Sequence, residues 1–450
     1  MELLSQILAI VIFVVMFIAI ISDKWHRFIP ALIGGSLTIV IVFLIVMRSP
    51  ESVLNVLSFG QILQPAFWVP GEGHFESSGI NWQTIVFIGG MMVMVEGLGE
   101  VGFFRWLCLR VAKLVDYQVV PILISFMLLS GFLAMFIDSI TVLLFMATVT
   151  IELARLLKFD PVPIIIAEIF ASNVGGSATM SGDPPNIIIG TAFGYSFFDF
   201  VTNTGIIAWI GMIATLIFFY FAFRKALKAS QGKVEAESYP EPGDAIVNPR
   251  LFRINTGIFA LVVLLIVTHA ETGISVALIG VIAAILTLIA GFRNAAHLIK
   301  RVDWKTLLFF IGLFVCVGGL EETGVLEVLA QFIADVSGGN LMIVIPMILW
   351  ISAFASAIVD NIPFAATMIP VLRNLAGSGL PLPTLAWTLA LGSDIGGNAT
   401  PIGASANVVG TAVAAREGYP ISWGRFCKYA LPAMVGVVAL CWLYLIVRYA

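Results

Sequence analysis

The chain has 450 residues, of which 60% are hydrophobic and 11% charged, and its mean hydropathy is +1.05. Soluble domains carry roughly 25% charged residues, so this composition excludes a soluble globular protein and indicates an integral membrane protein. The net charge of −4 comes without a basic stripe, so no nucleic-acid partner is expected. The chain also lacks CxxC spacing and a GxxxxGK phosphate loop, and we therefore expect no cofactor and no built-in ATP motor.

Apolar runs of about 17–25 residues, the length that crosses a bilayer, recur along the chain. We predict about ten spans, at roughly 2–22, 28–47, 83–98, 163–193 (broken), 203–223, 251–268, 275–292, 305–320, 384–413 (broken) and 429–447. Two further apolar stretches, about 118–156 and 340–373, have polar residues in the middle and are interpreted as re-entrant hairpins. The predicted fold class is therefore an all-α polytopic membrane protein.

Basic residues set the predicted orientation. If both termini lie outside, every Lys and Arg except Arg48, Arg373 and Arg448 falls on the inner side. The positive-inside rule then places the polar linker 224–250 in the cytoplasm. The linker divides the chain into an N-terminal half, 1–223, and a C-terminal half, 251–450. We expect a bacterial or archaeal inner (plasma) membrane.

The two halves resemble each other in sequence. "NWQTIVFIGG" at 81–90 aligns with "DWKTLLFFIG" at 303–312, an offset of 222 positions, and "NVGGSATMSGDPPNI" aligns with "DIGGNATPIGASANV" at an offset of 221. Each half has an odd number of predicted crossings, so the second half is predicted to be inverted relative to the first. Inverted repeats with helices broken at corresponding positions are typical of secondary transporters, whose sites lie near the midplane.

The polar interruptions in the two broken spans are the predicted binding site. Irregular backbone at membrane depth survives only where it lines a cavity or is enclosed by protein. Asp183 precedes Pro184–Pro185 and is expected to be the N-cap of the second half-helix, with Ser405 as its counterpart. The residues predicted to line the two breaks are Asn173, Gly175, Gly176, Ser177, Thr179 and Asn186 in the first and Asp394, Gly396, Gly397, Asn398, Thr400 and Asn407 in the second.

The hairpin tips complete the predicted site. They carry Asp138, Ser139 and Thr141 in the first half, and Asp360 and Asn361 in the second. An aspartate at a helix centre costs roughly 2.5–3.5 kcal/mol, which favours a functional role, although both tip aspartates could also cap their half-helices. No lysine or arginine is expected at the site, so its aspartates suit Na⁺ or a proton. A Na⁺ site is predicted at Asp138, Asn173, Asp360 and Asp394. Glu168 is expected either to be paired within the bundle or to carry a proton.

The chain resembles the ion transporter superfamily that contains arsenite permeases, NhaD-type sodium–proton antiporters, the melanosomal P protein and, more remotely, divalent-anion:sodium symporters. The resemblance covers essentially the whole chain and is carried by "FIDSITVLLFMATVTIELARLLKFDP", "IAEIFASNVGGSATMSGDPPNIIIG", "VDNIPFAATMIPVLRNL" and "GSDIGGNATPIGASANVVG". It implies a homodimer with an elevator motion, in which tips and breaks face the ion. The dicarboxylate branch has Ser-Asn-Thr at both tips, a pattern that this chain lacks.

These observations favour a non-enzymatic secondary transporter in the lipid bilayer, with H⁺ and/or Na⁺ as coupling ion. Proton-coupled Na⁺ antiport is the main hypothesis, because the two ions can compete for the same carboxylates. The alternative is arsenite or antimonite efflux in exchange for protons, in which case an ATPase subunit could assist. A dicarboxylate or other anion:sodium symporter and a channel are further alternatives. An intramembrane aspartyl protease is disfavoured because its G-x-G-D pattern is absent.

Overall fold

The computed structural model describes residues 2–22, 24–70, 79–230 and 239–450. All regular structure in these ranges is helical, which confirms the predicted all-α fold class. The first half contains α1 (Glu2–Ile21), α2 (Phe28–Leu37, continued as a π-helix over Thr38–Met47), α3 (Pro50–Leu57), α4 (Pro65–Trp68), α5 (Trp82–Glu100), α6 (Phe103–Leu114), α7 (Val119–Ala134), α8 (Ser139–Leu157), α9 (Val162–Gly176), α10 (Pro184–Phe193), α11 (Phe197–Phe200) and α12 (Ile206–Ser230).

The second half follows a similar order. It contains α13 (Pro249–Thr272), α14 (Val276–Ala290), α15 (Ala295–Arg301), α16 (Trp304–Glu322), α17 (Val325–Ser337), α18 (Leu341–Val359), α19 (Asn361–Gly377), α20 (Leu382–Gly396), α21 (Ser405–Arg416) and α22 (Trp423–Tyr449). The breaks predicted within 163–193 and 384–413 are therefore present, between α9 and α10 and between α20 and α21. The inverted orientation of the second half stays a prediction.

Nine of the described helices are long and apolar enough to cross a membrane, and the bent pair Val276–Ala290 and Phe292–Arg301 gives a tenth. The number agrees with the predicted ten, but the members differ. The four half-helices of the breaks are too short to be included, whereas α8 and α18 each have 19 residues and qualify. Each predicted hairpin thus has one arm of about 28 Å, the length of a full span, at 1.5 Å per residue. Re-entrance of these hairpins stays a prediction.

Small residues bring the helices around the breaks into close contact. A Cβ on Gly175 of α9 would lie 2.1 Å from the carbonyl oxygen of Gly131 in α7. At the equivalent place in the second half, a Cβ on Gly396 of α20 would lie 2.2 Å from the Cα of Ala353 in α18. Close backbone approach through small residues is the usual way in which membrane helices associate. In each half, the first helix of the broken pair therefore packs directly against the first helix of the hairpin, α9 against α7 and α20 against α18.

A second pair of close helix contacts lies outside the broken helices. A Cβ on Gly90 of α5 would lie 2.0 Å from the carbonyl oxygen of Gly280 in α14. Likewise, a Cβ on Gly312 of α16 would lie 2.4 Å from the carbonyl carbon of Ala31 in α2. The second contact holds α2 against α16, which matters below because α2 begins one residue after Arg27.

Two amphipathic helices, α6 and α17, were not predicted from the sequence. Both follow a glycine with positive φ, Gly102 (φ 84°) and Gly324 (φ 74°), at positions 222 residues apart. The end of the predicted linker packs against the first of them. Tyr117 donates a hydrogen bond to the carbonyl oxygen of Pro240 at 2.5 Å, and Lys113 to Glu241 at 2.7 Å. The part of the predicted linker at 231–238 lies outside the described residues.

Candidate functional site

Two asparagines hold the breaks in shape by bonding their backbone. In the first break, Asn186 Nδ2 donates to the carbonyl oxygens of Gly176 at 3.2 Å and Thr179 at 3.0 Å. In the second, Asn407 Nδ2 donates to the carbonyl oxygens of Gly397 at 2.8 Å and Thr400 at 2.7 Å. Carbonyl groups freed from a helix at membrane depth need such partners, because no water is available in the hydrocarbon. These asparagine side chains therefore stabilise the irregular backbone of the two breaks.

One threonine in each break bonds that break to its hairpin. Thr179 Oγ1 donates to the carbonyl oxygen of Met135 at 2.6 Å, and Thr400 Oγ1 donates to that of Ala357 at 2.5 Å. Met135 and Ala357 are 222 residues apart, which is the offset of the repeat in this region. The hydroxyl groups of both predicted site threonines thus donate hydrogen bonds to the hairpin backbone. Ser177 is also occupied locally, since its hydroxyl donates to the carbonyl oxygen of Val174 at 2.8 Å.

The two breaks meet through a cluster of buried carboxamides. Asn173 Nδ2 donates to Asn398 Oδ1 at 2.9 Å and to Asn407 Oδ1 at 2.8 Å, and all three residues are fully buried. Among the described residues, the Oδ1 atoms of Asn173 and Asn186 have no hydrogen-bond partner. The structure therefore brings the two predicted breaks together and leaves buried neutral oxygens beside the contact.

Asp183 joins both hairpin tips. It lies at the N-cap position of α10 with extended backbone (φ −142°, ψ 147°), but its side chain makes no capping bond. Instead, its two carboxylate oxygens accept hydrogen bonds from Ser139 Oγ at 2.6 Å and from Asn361 Nδ2 at 2.7 Å. Asp183 is therefore the N-cap residue, as predicted, but its carboxylate does not supply a capping bond. A capping side chain accepts from the N–H of N2 or N3, but Pro185 at N2 has no N–H and that of Asn186 at N3 bonds the carbonyl oxygen of Asp183 at 3.0 Å, so the carboxylate turns to the donors of the two tips.

Ser405 does not have the capping role expected for it either. It is the first residue of α21, and the N-cap position belongs to Ala404, the residue 221 positions after Asp183. The hydroxyl of Ser405 instead donates to Asp360 Oδ2 at 3.0 Å. The sequence interpretation was thus displaced by one residue, and the second break carries no carboxylate at the position where the first has Asp183.

Asp394 is the most isolated acid in the site. It is fully buried, and within the described ranges neither of its carboxylate oxygens has a hydrogen-bond partner. The side chains of Asp183 and Asn361 lie close enough to interact with its carboxylate, the first as a second acid and the second as an amide. A buried carboxylate without a partner is costly, and it is normally relieved by a proton or a cation. The acidic centre of the site is therefore the pair Asp183 and Asp394.

The first hairpin tip is a self-contained cap. Asp138 accepts hydrogen bonds from Thr141 N at 3.1 Å and from Thr141 Oγ1 at 2.7 Å, and so closes the first turn of α8. Its φ of −54° is unstrained. Asp138 and Thr141 thus satisfy each other, while the adjacent Ser139 reaches Asp183.

The second tip is built differently. Asp360 has φ 84°, a positive value that is rare for a residue other than glycine, and it accepts from Ile362 N at 3.1 Å. Its other carboxylate oxygen forms an ion pair with Arg27, whose same Nη1 atom lies 3.3 Å from Ser405 Oγ. The expectation of a site without lysine or arginine is therefore wrong. Arg27 was missed because it lies 333 residues from its partner, in what the sequence presented as an ordinary inner loop.

A cavity of about 620 Å³ leads to this second tip. Its basic lining residues are Lys24, His26, Arg27 and Lys305, and Asp303 is its acidic one. The residues that bring it to the site are Ile140 and Ile362, next to the two tips, and Ser405. We call this cavity the vestibule. It gives the site access from the side of the molecule that carries the loop between α1 and α2.

Glu168 lies buried outside the tips and breaks. Its Oε1 accepts a hydrogen bond from Thr150 Oγ1 at 2.5 Å, whereas Oε2 has no partner among the described residues. No described salt bridge involves it, in contrast to Glu152, which pairs with Arg105 at 2.5 Å. The expected pairing of Glu168 thus takes the form of a hydrogen bond to a hydroxyl.

Three of the four residues of the predicted Na⁺ site have partners of their own, and the Na⁺ site stays a prediction. Asp138 caps α8, Asp360 pairs with Arg27, and Asn173 bonds the other asparagines. In the part of the chain that the structure describes, no group of three or more His, Cys, Asp or Glu side chains is placed to hold a metal ion. A cation here would depend mainly on neutral oxygens and on the carboxylates of Asp183 and Asp394.

Comparison with known proteins places this architecture among transporters. Residues 17–392 match the family model described as "CitMHS: Citrate transporter". An uncharacterized transporter of Mycobacterium tuberculosis is 32% identical over 447 residues, covering 99% of both chains. The human P protein is 29% identical over 446 residues, which cover 81% of this chain and 53% of that protein. This chain therefore spans about half the length of the P protein.

Two solved structures resemble the fold. The YdaH transporter of Alcanivorax borkumensis aligns with a TM-score of 0.60 and 13% identity, covering 88% of this chain and 87% of that one. MtrF of Neisseria gonorrhoeae, described as illuminating a class of antimetabolite efflux pumps, aligns with a TM-score of 0.55 and 13% identity over 97% of this chain and 94% of that one. At this identity the likeness concerns the fold alone.

Proposed function

The chain belongs to the citrate transporter family of membrane permeases, and we propose that it exchanges Na⁺ for protons at Asp183 and Asp394. The observation that carries the proposal is the buried carboxylate of Asp394, which has no hydrogen-bond partner among the described residues and lies beside Asp183. A proton or a hard cation would each relieve that charge, and both would bind the same oxygens. Ions that bind the same oxygens cannot be carried together, which is the minimal requirement of exchange.

Neutral oxygens around the acid pair support a small cation as the substrate. The unpartnered Oδ1 atoms of Asn173 and Asn186 are buried near the contact between the breaks. Oxygen ligands of this kind suit a dehydrated alkali cation better than a large organic anion. We further propose that the site-bearing helices α7–α10 and α18–α21 move together in an elevator motion within a homodimer.

The vestibule would supply access from one side. By the positive-inside rule, the loop with Lys24 and Arg27 is cytoplasmic, so the structure would correspond to a state open to the cytoplasm. Both termini would then lie outside, in the inner membrane of a bacterium or archaeon. This assignment is part of the proposal.

A second candidate is symport of a carboxylate anion with a cation. It is favoured by Arg27, which places a guanidinium at the second tip, and by the basic lining of the vestibule. The description of the matching family as citrate transporters points in the same direction. In this alternative, Arg27 would hold the substrate carboxylate after leaving Asp360.

Proton movement in proteoliposomes tests the two candidates. Vesicles containing the purified protein receive an imposed pH gradient, and Na⁺, Li⁺, K⁺, citrate, succinate or arsenite is added in turn. Collapse of the gradient by Na⁺ or Li⁺ alone supports the exchange. A response that requires citrate or succinate favours the symporter, and a response to arsenite alone would make the protein a metalloid exporter and overturn the proposal.

Variants connect the flux to the acid pair. We expect Asp183→Asn and Asp394→Asn each to reduce Na⁺-dependent proton movement by roughly 100-fold or more, because an amide neither takes up the proton nor supplies the negative charge that favours the cation. Asp335→Asn, at an exposed position on α17, is the matched control and should behave as the wild type. Wild-type coupling in both site variants would refute the assignment of these residues.

A further inference from the structure

We propose that Arg27 is a tethered competitor of the transported cation: it occupies the Asp360–Ser405 site in the unloaded carrier and holds the carrier in place until a cation displaces it. The inference rests on the proposed cation transport. It assigns to Arg27, Asp360 and Ser405 a second cation site at the end of the vestibule, distinct from the pair Asp183 and Asp394.

The geometry is that of an occupied cation site. The guanidinium of Arg27 contacts a carboxylate oxygen of Asp360 and the hydroxyl of Ser405, and Ser405 also donates to that carboxylate at 3.0 Å. Asp360 is only 2% exposed, whereas the Arg27 side chain is 24% exposed. Ser405 and Ile362 both line the vestibule, so a cation that enters from this side meets Asp360 before it reaches the deeper acids.

Arg27 and its partners belong to different groups of helices. Arg27 immediately precedes α2, and α2 is held against α16 by the close approach of Ala31 to Gly312. Asp360 begins α19 at the second hairpin tip, and Ser405 begins α21 after the second break. The ion pair therefore joins a helix outside the hairpins and breaks to the helices that carry the site. If the two groups move relative to each other during transport, this bond must break.

The surrounding charges fit an exchangeable contact. Asp183 interacts with Asp360 from the first break, and Lys24, His26, Lys305 and Asp303 line the vestibule that reaches Ser405 and Ile362. Asp360 also has a positive φ, a conformation of the kind that persists only where its surroundings impose it and that clusters at switch regions. Arg27 neutralises the tip in the absence of substrate, so the site need not stand empty and charged.

The functional consequence is coupling. An exchanger leaks if its empty form returns across the membrane, because ions then move downhill without their counter-ion. A bond that forms only when no cation occupies Asp360 would retain the empty form on one side. Loss of Arg27 should therefore leave exchange intact, permit net flux without a counter-ion, and strengthen cation binding.

Sodium fluxes in proteoliposomes test this inference. The wild type is compared with Arg27→Gln, with Arg27→Lys, which keeps the charge, and with Lys24→Gln as the matched control. Lys24 lies in the same loop and lines the same vestibule, and no described contact joins it to Asp360 or Ser405. Two quantities are measured for each: the ratio of net Na⁺ efflux that is not accompanied by proton uptake, followed with a pH indicator inside the vesicles, to Na⁺–Na⁺ exchange, and the Na⁺ concentration at half-saturation.

For Arg27→Gln we expect a rise of roughly tenfold in the net-to-exchange ratio and a fall of similar size in half-saturation, as removal of a competing buried charge would give. Arg27→Lys should lie between this variant and the wild type, and Lys24→Gln should match the wild type. An unchanged ratio and half-saturation in Arg27→Gln overturn the inference, as does an equal effect of Lys24→Gln. If the wild type itself exchanges no Na⁺ for protons, the proposed function falls, and this inference falls with it.

Discussion

The two hairpin tips occupy equivalent places in the two halves, and they differ in how their aspartates are used. Asp138 has an ordinary φ and satisfies itself by capping α8 through Thr141. Asp360 has a positive φ and is bound by Arg27 and Ser405 from elsewhere in the fold. One tip is locally complete, whereas the other depends on a distant loop. Equivalent positions in a repeat therefore need not have equivalent roles.

The breaks show the same division between shared construction and separate charge. Asn186 and Asn407 make matching bonds to the backbone of their own breaks. The acids, by contrast, are not matched: Asp183 corresponds to Ala404, and Asp394 corresponds to Asn173. The features that build the backbone are duplicated, and the charges are distributed between the halves. The comparison thus separates residues that stabilise the backbone of both breaks from charged residues that are available for the proposed coupling of Na⁺ to protons.

The largest expected effect concerns the duplicated helix contacts. Gly175→Ala and Gly396→Ala should each destabilise the protein by more than about 3 kcal/mol, because the added Cβ would overlap backbone atoms of Gly131 and Ala353. Folded yield and thermal stability in detergent measure this. Gly436→Ala is the control, since a Cβ there meets nothing within 4 Å. If only one of the two variants folds normally, the α9–α7 and α20–α18 contacts are not equivalent.

The asparagines of the breaks should give the next largest effect. Asn186→Ala and Asn407→Ala each leave two buried carbonyl groups without their donor, and we expect a loss of roughly 2–4 kcal/mol in both cases. Thermal unfolding followed by size-exclusion chromatography is suitable. Asn294→Ala removes only a bond to Glu100 at the surface and serves as the control. Asn407→Ala should lie at the upper end of this range, because Asn407 Oδ1 also accepts from Asn173, and a larger loss for Asn186→Ala would show that the halves are not built alike.

Substitutions of the two tip aspartates should have smaller effects on stability, and the two effects should differ from each other. Asp138→Asn should change stability by less than about 0.5 kcal/mol, because asparagine caps a helix about as well as aspartate. Asp360→Asn should cost about 1.5–3 kcal/mol, since it leaves the guanidinium of Arg27 without its charged partner. The same thermal assay compares them, with Asp360→Asn/Arg27→Gln as the double variant that should recover part of the loss. Equal losses of stability in Asp138→Asn and Asp360→Asn would contradict the conclusion that Asp138 is a local cap whereas Asp360 depends on Arg27.

The smallest effects are expected at the ion pairs that join the two halves on their exposed rim. Arg155 pairs with Glu417 at 2.8 Å, and Arg425 pairs with Asp160. Their side chains are largely exposed, so Arg155→Gln and Arg425→Gln should each cost less than about 1 kcal/mol and less still in high salt. Stability measured at low and high ionic strength checks this. A larger, salt-insensitive loss would mean that the halves depend on these bonds.

The breaks could be predicted from the sequence because their polarity is energetically conspicuous. Glycine pairs, asparagines and prolines within an apolar run have few explanations other than an enclosed, irregular backbone. The same reasoning predicted that tips and breaks converge, and Ser139 and Asn361 do meet Asp183. The exact partner of each carboxylate was less accessible, since capping and long-range bonding use the same atoms.

Other features had weaker signals in the sequence. The role of Arg27 depends on a partner 333 residues away, which local patterns do not encode. Ser405 was assigned a cap that belongs to Ala404, because a one-residue shift is small compared with the precision of a helix boundary read from sequence. The helices α6 and α17 have 12 and 13 residues, too few for a span, so a search based on hydropathy passes over them.

The size of the vestibule has an electrical consequence. A cavity of about 620 Å³ accommodates ~20 water molecules at about 30 Å³ each, enough to carry the potential of the adjacent solution inward. In the proposed orientation, the transmembrane voltage then falls mainly across the protein between Ile362 and the opposite face. One elementary charge that crosses the whole field gains or loses about 2.3 kcal/mol per 100 mV. Under the proposed cation exchange and elevator motion, cation entry through the vestibule should be nearly independent of voltage, and the field should act on the later movement of the loaded site.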